Sequence, residues 1–426
     1  MSMLRRLSVT ITATATFCLF CNSLTLAAST KPQQPDKFPP NPLEITTPDP
    51  LLPRSPKDKQ PLTLQESQNL EAALDKLNQQ ATATLQTGDK ITAFDIWNRE
   101  LRLRRFLGSL AEVQALSRVG EIAWRENNRQ EVQYITQRLQ AIQKQAQSQK
   151  TKSQNTIAQN TIENTIDLQL LRAIGQAYQQ VRSPREALQV YDQVLTAVRQ
   201  QGDTAAEVDT LKTIGELHLS WFDYVSAAAT YEKLLTFGDS KNDSANEISY
   251  LQQLAYIYKQ LKQPEQSIKI RNKLAEIYQR QNNLVQLVTL KQSIGSDYES
   301  LARENPSFLQ EAFKNYKEAY TIAWQSQQYI RASEVLQKLI PLYRSQGQVE
   351  EALQASQILL QAEEQAVNFY GLMRAYDQIG QIHLQRKDYP QALTAFQKGL
   401  AIAQQLNSDQ TYFTQQIQKI SGQTSR

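Results

Sequence analysis

The sequence predicts an all-α protein, a stacked array of about eight helical hairpins, and three observations carry that prediction. The first is the stretch 171–194, where Leu171, Ile174, Gly175 and Tyr178 recur at i, i+3, i+4 and i+7, one face of a helix. Ser183-Pro184 then offers an N-cap and a Pro at the first helical position, and Ala187, Leu188, Tyr191 and Val194 resume the spacing. The second is a period. The same apolar position falls at Ile174, Ile214, Leu254 and Ile294, 40 residues apart each time, then at Leu339 and Ile379 after steps of 45 and 40. The third is a register of small residues. First helices carry Gly175, Gly215, Ala255, Gly295 and Gly380, with Ile340 the exception; second helices carry Ala187, Ala227, Ser267, Ala312, Ala352 and Ala392. Four residues after these stand Tyr191, Tyr231, Arg271, Tyr316, Ser356 and Phe396. Close approach of two backbones is expected at the small residues, Gly215 facing Ala227.

Taken from the start, residues 1–28 read as a secretory signal: Arg5-Arg6, an apolar stretch from Leu7 to Leu26 diluted by Thr and Ser, and small residues at Ala27-Ala28. The alternative is an uncleaved membrane anchor, since the apolar run approaches spanning length. The residues around Arg5-Arg6 fit a twin-arginine signal poorly, and Phe20 before Cys21 argues against lipidation. Cys18 and Cys21, the only cysteines, lie in this leader. A cleaved chain therefore has no disulfide, thiolate metal site or cysteine nucleophile.

Residues 29–63 are Pro-rich and predict an extended tether with no core of its own. From 64 to 144 come two degenerate hairpins. In the first, Thr63 and Glu66 form a possible capping box, and Leu77 and Ala81 face Ala93 and Trp97; in the second, Leu116, Val119, Gly120 and Ala123 precede a weaker helix around Val132 and Ile135. Residues 145–162 are low-complexity, the end of a long helix and an exposed loop. The regular array spans 163–408, with its five extra residues around Asn305-Pro306-Ser307 and a kink expected at Pro341. Residues 409–426 supply a capping helix, from about Gln410 to Ile420, and a tail.

Charge adds little. The net formal charge of +4 falls to about +2 once Arg5 and Arg6 go with the leader, no footprint for nucleic acid. His218 and His383 occupy the place that Tyr178, Tyr258, Tyr298 and Tyr343 fill elsewhere, which reads as packing. They lie four repeats apart, too far to share a site at roughly 10 Å per helix layer. There is no Gly-rich phosphate loop, H-E-x-x-H or nucleophile elbow, and Glu350-Glu351 and Glu363-Glu364 read as solvated helix faces. No catalytic, cofactor or metal residues are expected, and the chain reads as a non-enzyme.

The Leu171-x-x-Ile174-Gly175-x-x-Tyr178 and Ala187-x3-Tyr191 pattern resembles the tetratricopeptide repeat, whose signature is W-x2-L-G-x2-Y followed by A-x3-F. The resemblance covers 168–405 well and 65–405 loosely, with a period six residues longer than the family's 34. It implies a right-handed superhelix whose first helices line a concave groove. Two residues per first helix then face a ligand: Arg172 and Gln176, Lys212 and Glu216, Gln252 and Tyr256, Gln292 and Ser296, Gln337 and Pro341, Asp377 and Gln381. Without Asn at these places a carboxylate clamp is not expected; the amides suit the backbone of a peptide. The resemblance, together with the export signal, thus implies a scaffold or assembly factor of the cell envelope with a protein or peptide partner, or else a solenoid that self-associates. The exported, Gln-rich style is similar to that of cyanobacterial repeat proteins.

Overall fold

A computed structural model of the protein describes residues 41–44, 48–53, 61–153, 160–241 and 244–424. The leader and most of the Pro-rich segment lie outside the described residues. Among those described, the secondary structure is helical throughout, with no strand. The helices are α1 (Leu64–Gln86), α2 (Lys90–Arg104), α3 (Ser109–Arg125), α4 (Arg129–Ser153), α5 (Asn160–Gln180), α6 (Pro184–Gln201), α7 (Thr204–Ser220), α8 (Tyr224–Lys241) and α9 (Ser244–Gln260). They continue as α10 (Pro264–Arg280), α11 (Leu284–Leu301), α12 (Leu309–Gln325), α13 (Tyr329–Ser345), α14 (Val349–Gln365), α15 (Phe369–Gln385), α16 (Tyr389–Leu406) and α17 (Gln410–Thr424).

Consecutive helices pack in pairs, α1 with α2 through α15 with α16, and α17 lies on α16. The 40-residue period has a simple origin. From α7 to α16 every helix has 17 or 18 residues and the turns are short, so the residues beyond the 34-residue unit lengthen the helices. The longer step comes from a 3-10 turn at Pro306–Phe308, started by Asn305 accepting from the Ser307 amide. Helix ends follow local chemistry. Thr63 and Glu66 make the expected capping box, whereas Ser183 makes no side-chain cap bond and Pro184 starts α6 through its fixed φ. The α13 helix continues through Pro341 to Ser345, the proline ring being exposed on the face where the Gln337 carbonyl loses its donor.

The glycine register meets a different neighbour from the one expected. A Cβ on Gly215 would lie 2.9 Å from the Tyr231 ring, and Gly175, Gly295 and Gly380 back onto Tyr191, Tyr316 and Phe396 in the same way. Ala227, by contrast, is simply a fully buried alanine. Glycine leaves the volume that the ring of the paired helix fills. The two hairpins without this pair compensate. Opposite Ile340, the equivalent position is Ser356, buried and donating to the Ala352 carbonyl at 2.7 Å. In the hairpin of Ala255 it is Arg271, which pairs with Asp297 of α11.

The N-terminal pairs are more polar inside. Trp97 is fully buried with Nε1 donating to Asn78 at 3.0 Å. Glu100 is also fully buried and takes both Arg104, at 3.0 Å, and Arg118, at 2.7 Å. Nearby, Asn98 donates to Glu131 at 3.1 Å, while Asn98 Oδ1 and Glu131 Oε1 are buried acceptors without a donor. Burial pushes the Glu131 carboxyl up to about 7, against the opposing effect of the Asn98 bond and with Asp95 adding to the rise. The retained proton brings a donor to this buried site.

The Pro-rich segment is not a bare tether where it is described. Residues 42–44 form a 3-10 turn lying against α2 and α4, and Leu43 is only 1% exposed within the core that includes Trp97 and Leu101. Arg99 grips Asp49 with two bonds of 2.7 and 2.9 Å. A leucine and an acid at the right separation, set against α2 arginines, explain the docking; composition alone could not show it.

Two outcomes test this packing. Gly215→Ile should cost about 2 kcal/mol through overpacking. The Gly215→Ile/Tyr231→Ser double variant, which copies the Ile340–Ser356 arrangement, should lose less than the sum of the single changes by about 1 kcal/mol or more in denaturant midpoints. For Glu131 the folded pKa is raised above an unfolded value near 4.3. Its stabilisation is therefore full below about pH 4 and is lost as pH rises towards 7. Glu131→Gln should exceed the parent in stability at pH 8 by on the order of 1–3 kcal/mol, and the gap should narrow as pH falls and close near about pH 4 in paired thermal melts.

Candidate functional site

The residues expected to face a ligand lie on α5, α7, α9, α11, α13 and α15. The 3.6-residue period decides their exposure. Arg172, Gln176, Glu216, Gln252, Tyr256, Ser296, Gln337 and Pro341 are exposed, whereas Lys212, Gln292, Asp377 and Gln381 are half-buried.

Several of these side chains are already engaged within the protein. Lys212 donates to Asn246 at 3.3 Å and sits 5.8 Å over the Tyr250 ring, both on α9. Gln252 donates to the Tyr278 hydroxyl at 2.8 Å, which ties α9 to the end of α10. Tyr256 meets Tyr224 edge-on at 6.2 Å. At the C-terminal end the line is taken up by α17. The Tyr412 hydroxyl donates to Asp377 at 2.7 Å and accepts from Gln381 at 3.1 Å. The capping helix stands against α15 and α16, so its tyrosine reaches the two positions a ligand was expected to meet. Burial first, and the Asp377 contact next, push this phenol up to about 12.

Gln337 leads to features that the sequence reading missed. Its Nε2 lies 3.3 Å from Glu363 Oε1, and Asn368 donates to Glu363 Oε2 at 2.8 Å. Glu363, expected on a solvated face, is 1% exposed. It follows Leu359 by four residues and so turns inward, and Gly371 leaves the space: a Cβ there would collide with the carboxylate. The Glu363-Glu364 doublet hid this: the spacing from Leu359 puts Glu363 on the inward face, but the amide partners that let it stay there come from Gln337 and Asn368, outside its own helix. Beside this network lies a cavity of about 360 Å³ lined by Gln337, Asn368, Tyr370, Gly371, Met373, Arg374 and Asp409. It offers amide, guanidinium, carboxylate and phenol groups around an opening between first helices.

The histidines are half-buried and each meets an aspartate. His218 Nδ1 lies 3.1 Å from Asp223 and His383 Nδ1 lies 3.2 Å from Asp388. Each aspartate also accepts from the first turn of the next helix, at Ser226 and Gln391. These pairs fasten hairpin turns. A signal was present in the sequence, the repeated His-x4-Asp spacing. Among the described residues no three of His, Cys, Asp and Glu gather where they could hold a metal ion, and no helix is long and apolar enough to cross a membrane.

Tetratricopeptide-repeat models match residues 170–205 and 248–281. The chain carries tetratricopeptide repeats. The first match spans α5 and α6, with the Gly175–Tyr191 contact, and the second spans α9 and α10, in which Ala255 and Arg271 stand at those places. No curated protein matches the chain significantly. Among solved structures, the apo form of RapI is 15% identical, with 73% of this chain and 81% of that chain covered and a TM-score of 0.41. Aspartyl phosphate phosphatase F from Bacillus subtilis is 16% identical over 69% of this chain and 76% of its own, with a TM-score of 0.38. BtubC from P. vanneervenii is 15% identical over 53% and 92%, with a TM-score of 0.36.

The buried Glu363 yields a test within the tetratricopeptide array. Gly371→Ala should lower the denaturant midpoint by the equivalent of about 2 kcal/mol, because the carboxylate must leave its two amide donors to make room. Gly347→Ala, in an open turn, should cost less, about 1 kcal/mol, from its positive φ alone.

Proposed function

We propose that the protein is a non-enzymatic scaffold of the cell envelope that binds a peptide or protein partner along the first helices of its tetratricopeptide repeats. The observation that carries the reading is the set Arg172, Gln176, Glu216, Gln252 and Tyr256, at repeated positions of α5, α7 and α9 and all exposed. Such a surface combines amide groups and one aromatic anchor with separated charges. It suits an extended or helical peptide, whose backbone amides take hydrogen bonds from glutamine and whose side chain packs on Tyr256. No constellation of nucleophile and base stands on it.

Placement in the envelope rests on the leader, with Arg5-Arg6 before an apolar run; retention of that leader would make the scaffold a membrane-held adaptor. Self-association through the C-terminal end is less favoured by the packing. Phe413 and Ile420 of α17 are 2% and 1% exposed, so the apolar face of the last pair is covered.

The test uses two exposed positions. Arg172→Glu with Tyr256→Ser should weaken capture of a cross-linked envelope partner by about tenfold or more, as for loss of a charge-assisted bond and an aromatic contact. Helicity and midpoint should stay within about 0.5 kcal/mol of the parent. Equal recovery of every partner by the variant and the parent would sink the reading.

A further inference from the structure

Residues 41–44 and 48–53 lie on a surface that is separate from the first-helix face and unusually rich in arginine. Arg99 and Arg102 stand on α2, Arg105 opens the 3-10 turn that follows it, and Arg138 comes from α4. Each of the first three bonds to the segment. Arg99 holds the Asp49 carboxylate, Arg102 donates to the Pro42 carbonyl at 2.7 Å, and Arg105 donates to the Leu43 carbonyl at 2.6 Å. Leu43 fills an apolar socket, while Leu51 and Leu52 pack against Leu70, Leu74 and Leu103. The segment is thus bound as a short peptide would be: anchor leucines, an ion pair, and arginine bonds to its backbone.

The fit is incomplete in one respect. Four guanidinium groups meet two acids of the segment, Asp49 and Glu44, and Glu44 stands 3.9 Å from Arg138. Arg138 is chiefly satisfied by Glu112, at 2.6 Å. From the segment's backbone Arg102 and Arg105 receive only neutral carbonyls, Arg105 pairing besides with Glu112 of α3, and burial pulls both below the usual guanidinium range. Arg105 Nε is buried without a hydrogen-bond acceptor, 3.8 Å from Glu112. A peptide with a carboxylate near the Pro42 or Leu43 carbonyl would replace a neutral acceptor with an ionised one, which makes the bond roughly twice as strong.

We propose that the surface of α2 and α4 is a second docking site, for an acidic, leucine-bearing peptide of a partner, and that the chain's own residues 41–44 and 48–53 hold it closed. Covalent attachment keeps the segment at an effective concentration on the order of millimolar, so a competitor must bind better than the resident sequence does. Greater acidity is the way to do so here, because Arg102 meets only a carbonyl of the segment and Arg105 Nε has no hydrogen-bond acceptor. The chemistry thus selects a partner segment with leucine at the Leu43 position and carboxylates on either side of it.

The experiment uses the full chain and labelled synthetic peptides. One peptide has the sequence of residues 41–53, and a second carries Pro42→Glu. The chains are the parent, a Leu43→Ser/Asp49→Lys variant that disables the resident segment, and the same variant with Arg99→Glu/Arg102→Glu. Fluorescence anisotropy should show the 41–53 peptide binding the disabled variant at least tenfold more tightly than the parent, with loss of binding on arginine reversal. The Pro42→Glu peptide should bind more tightly than the 41–53 peptide and should compete in the parent itself. Hydrogen exchange at the Leu52 amide, which donates to the Asp49 carbonyl at 3.0 Å, reports release of the segment independently. An Asp49→Lys single change, which leaves Leu43 in its socket, guards against a folding defect and should show the same order of affinities. Release without peptide uptake, uptake that survives arginine reversal, or continued protection of the segment in both variants would each overturn the proposal and leave the segment a structural brace.

Discussion

The array depends on a volume exchange across four of its six regular helix pairs. Where the first helix has glycine, the second has a ring that occupies the missing side chain's space, as Gly215 does with Tyr231 and Gly380 with Phe396. Neither residue is well placed alone: glycine weakens a helix interior, and a tyrosine without that space would hold the helices apart. Together they set how closely the two helices of a pair approach, and the contact recurs in four pairs of the array. The contact even extends to the end of the chain, where Gly399 of α16 backs onto Phe413 of α17. The last helix therefore uses the same packing device as the hairpins it caps.

A repeat array has two exposed ends, and this protein closes them differently. At the C-terminal end a whole helix covers the apolar face and fastens to the first-helix surface through Tyr412. At the N-terminal side the cover is a short irregular segment, held by leucines and by arginines of α2. An irregular segment cannot satisfy its own carbonyls as a helix does, so the arginines do it. That need explains why a Pro-rich stretch and an arginine-rich helix occur in one chain, separated by about fifty residues in sequence, and meet in the structure.

The sites differ in how readable they were. Exposure of Arg172 or Tyr256 follows from helical period, so a single helix suffices to place them. Engagement of Lys212 with α9, or of Asp377 and Gln381 with Tyr412, depends on residues 31 to 38 positions away and on how one pair stacks on the next. Glu363 shows the limit most clearly. Two adjacent acids have the same composition and the same local propensity; one is exposed and the other is sealed behind Gly371, because only one points at the helices that come after and before.

By itself the sequence determined the helical class, the 40-residue period, the position of the long step at Pro306 and the two helices of each repeat, since all of these rest on short-range spacing and on the backbone preferences of Gly and Pro. It also marked the glycines as packing positions. Only the tertiary structure decided what filled the space beside them, which groove residues remain open, and that residues 41–44 and 48–53 dock on α2 and the turn after it. The reason is the range of the interaction. Periodicity is a property of neighbours along one helix, whereas ring-to-glycine contacts, buried acids and a docked segment are set by side chains that meet only after the helices have stacked.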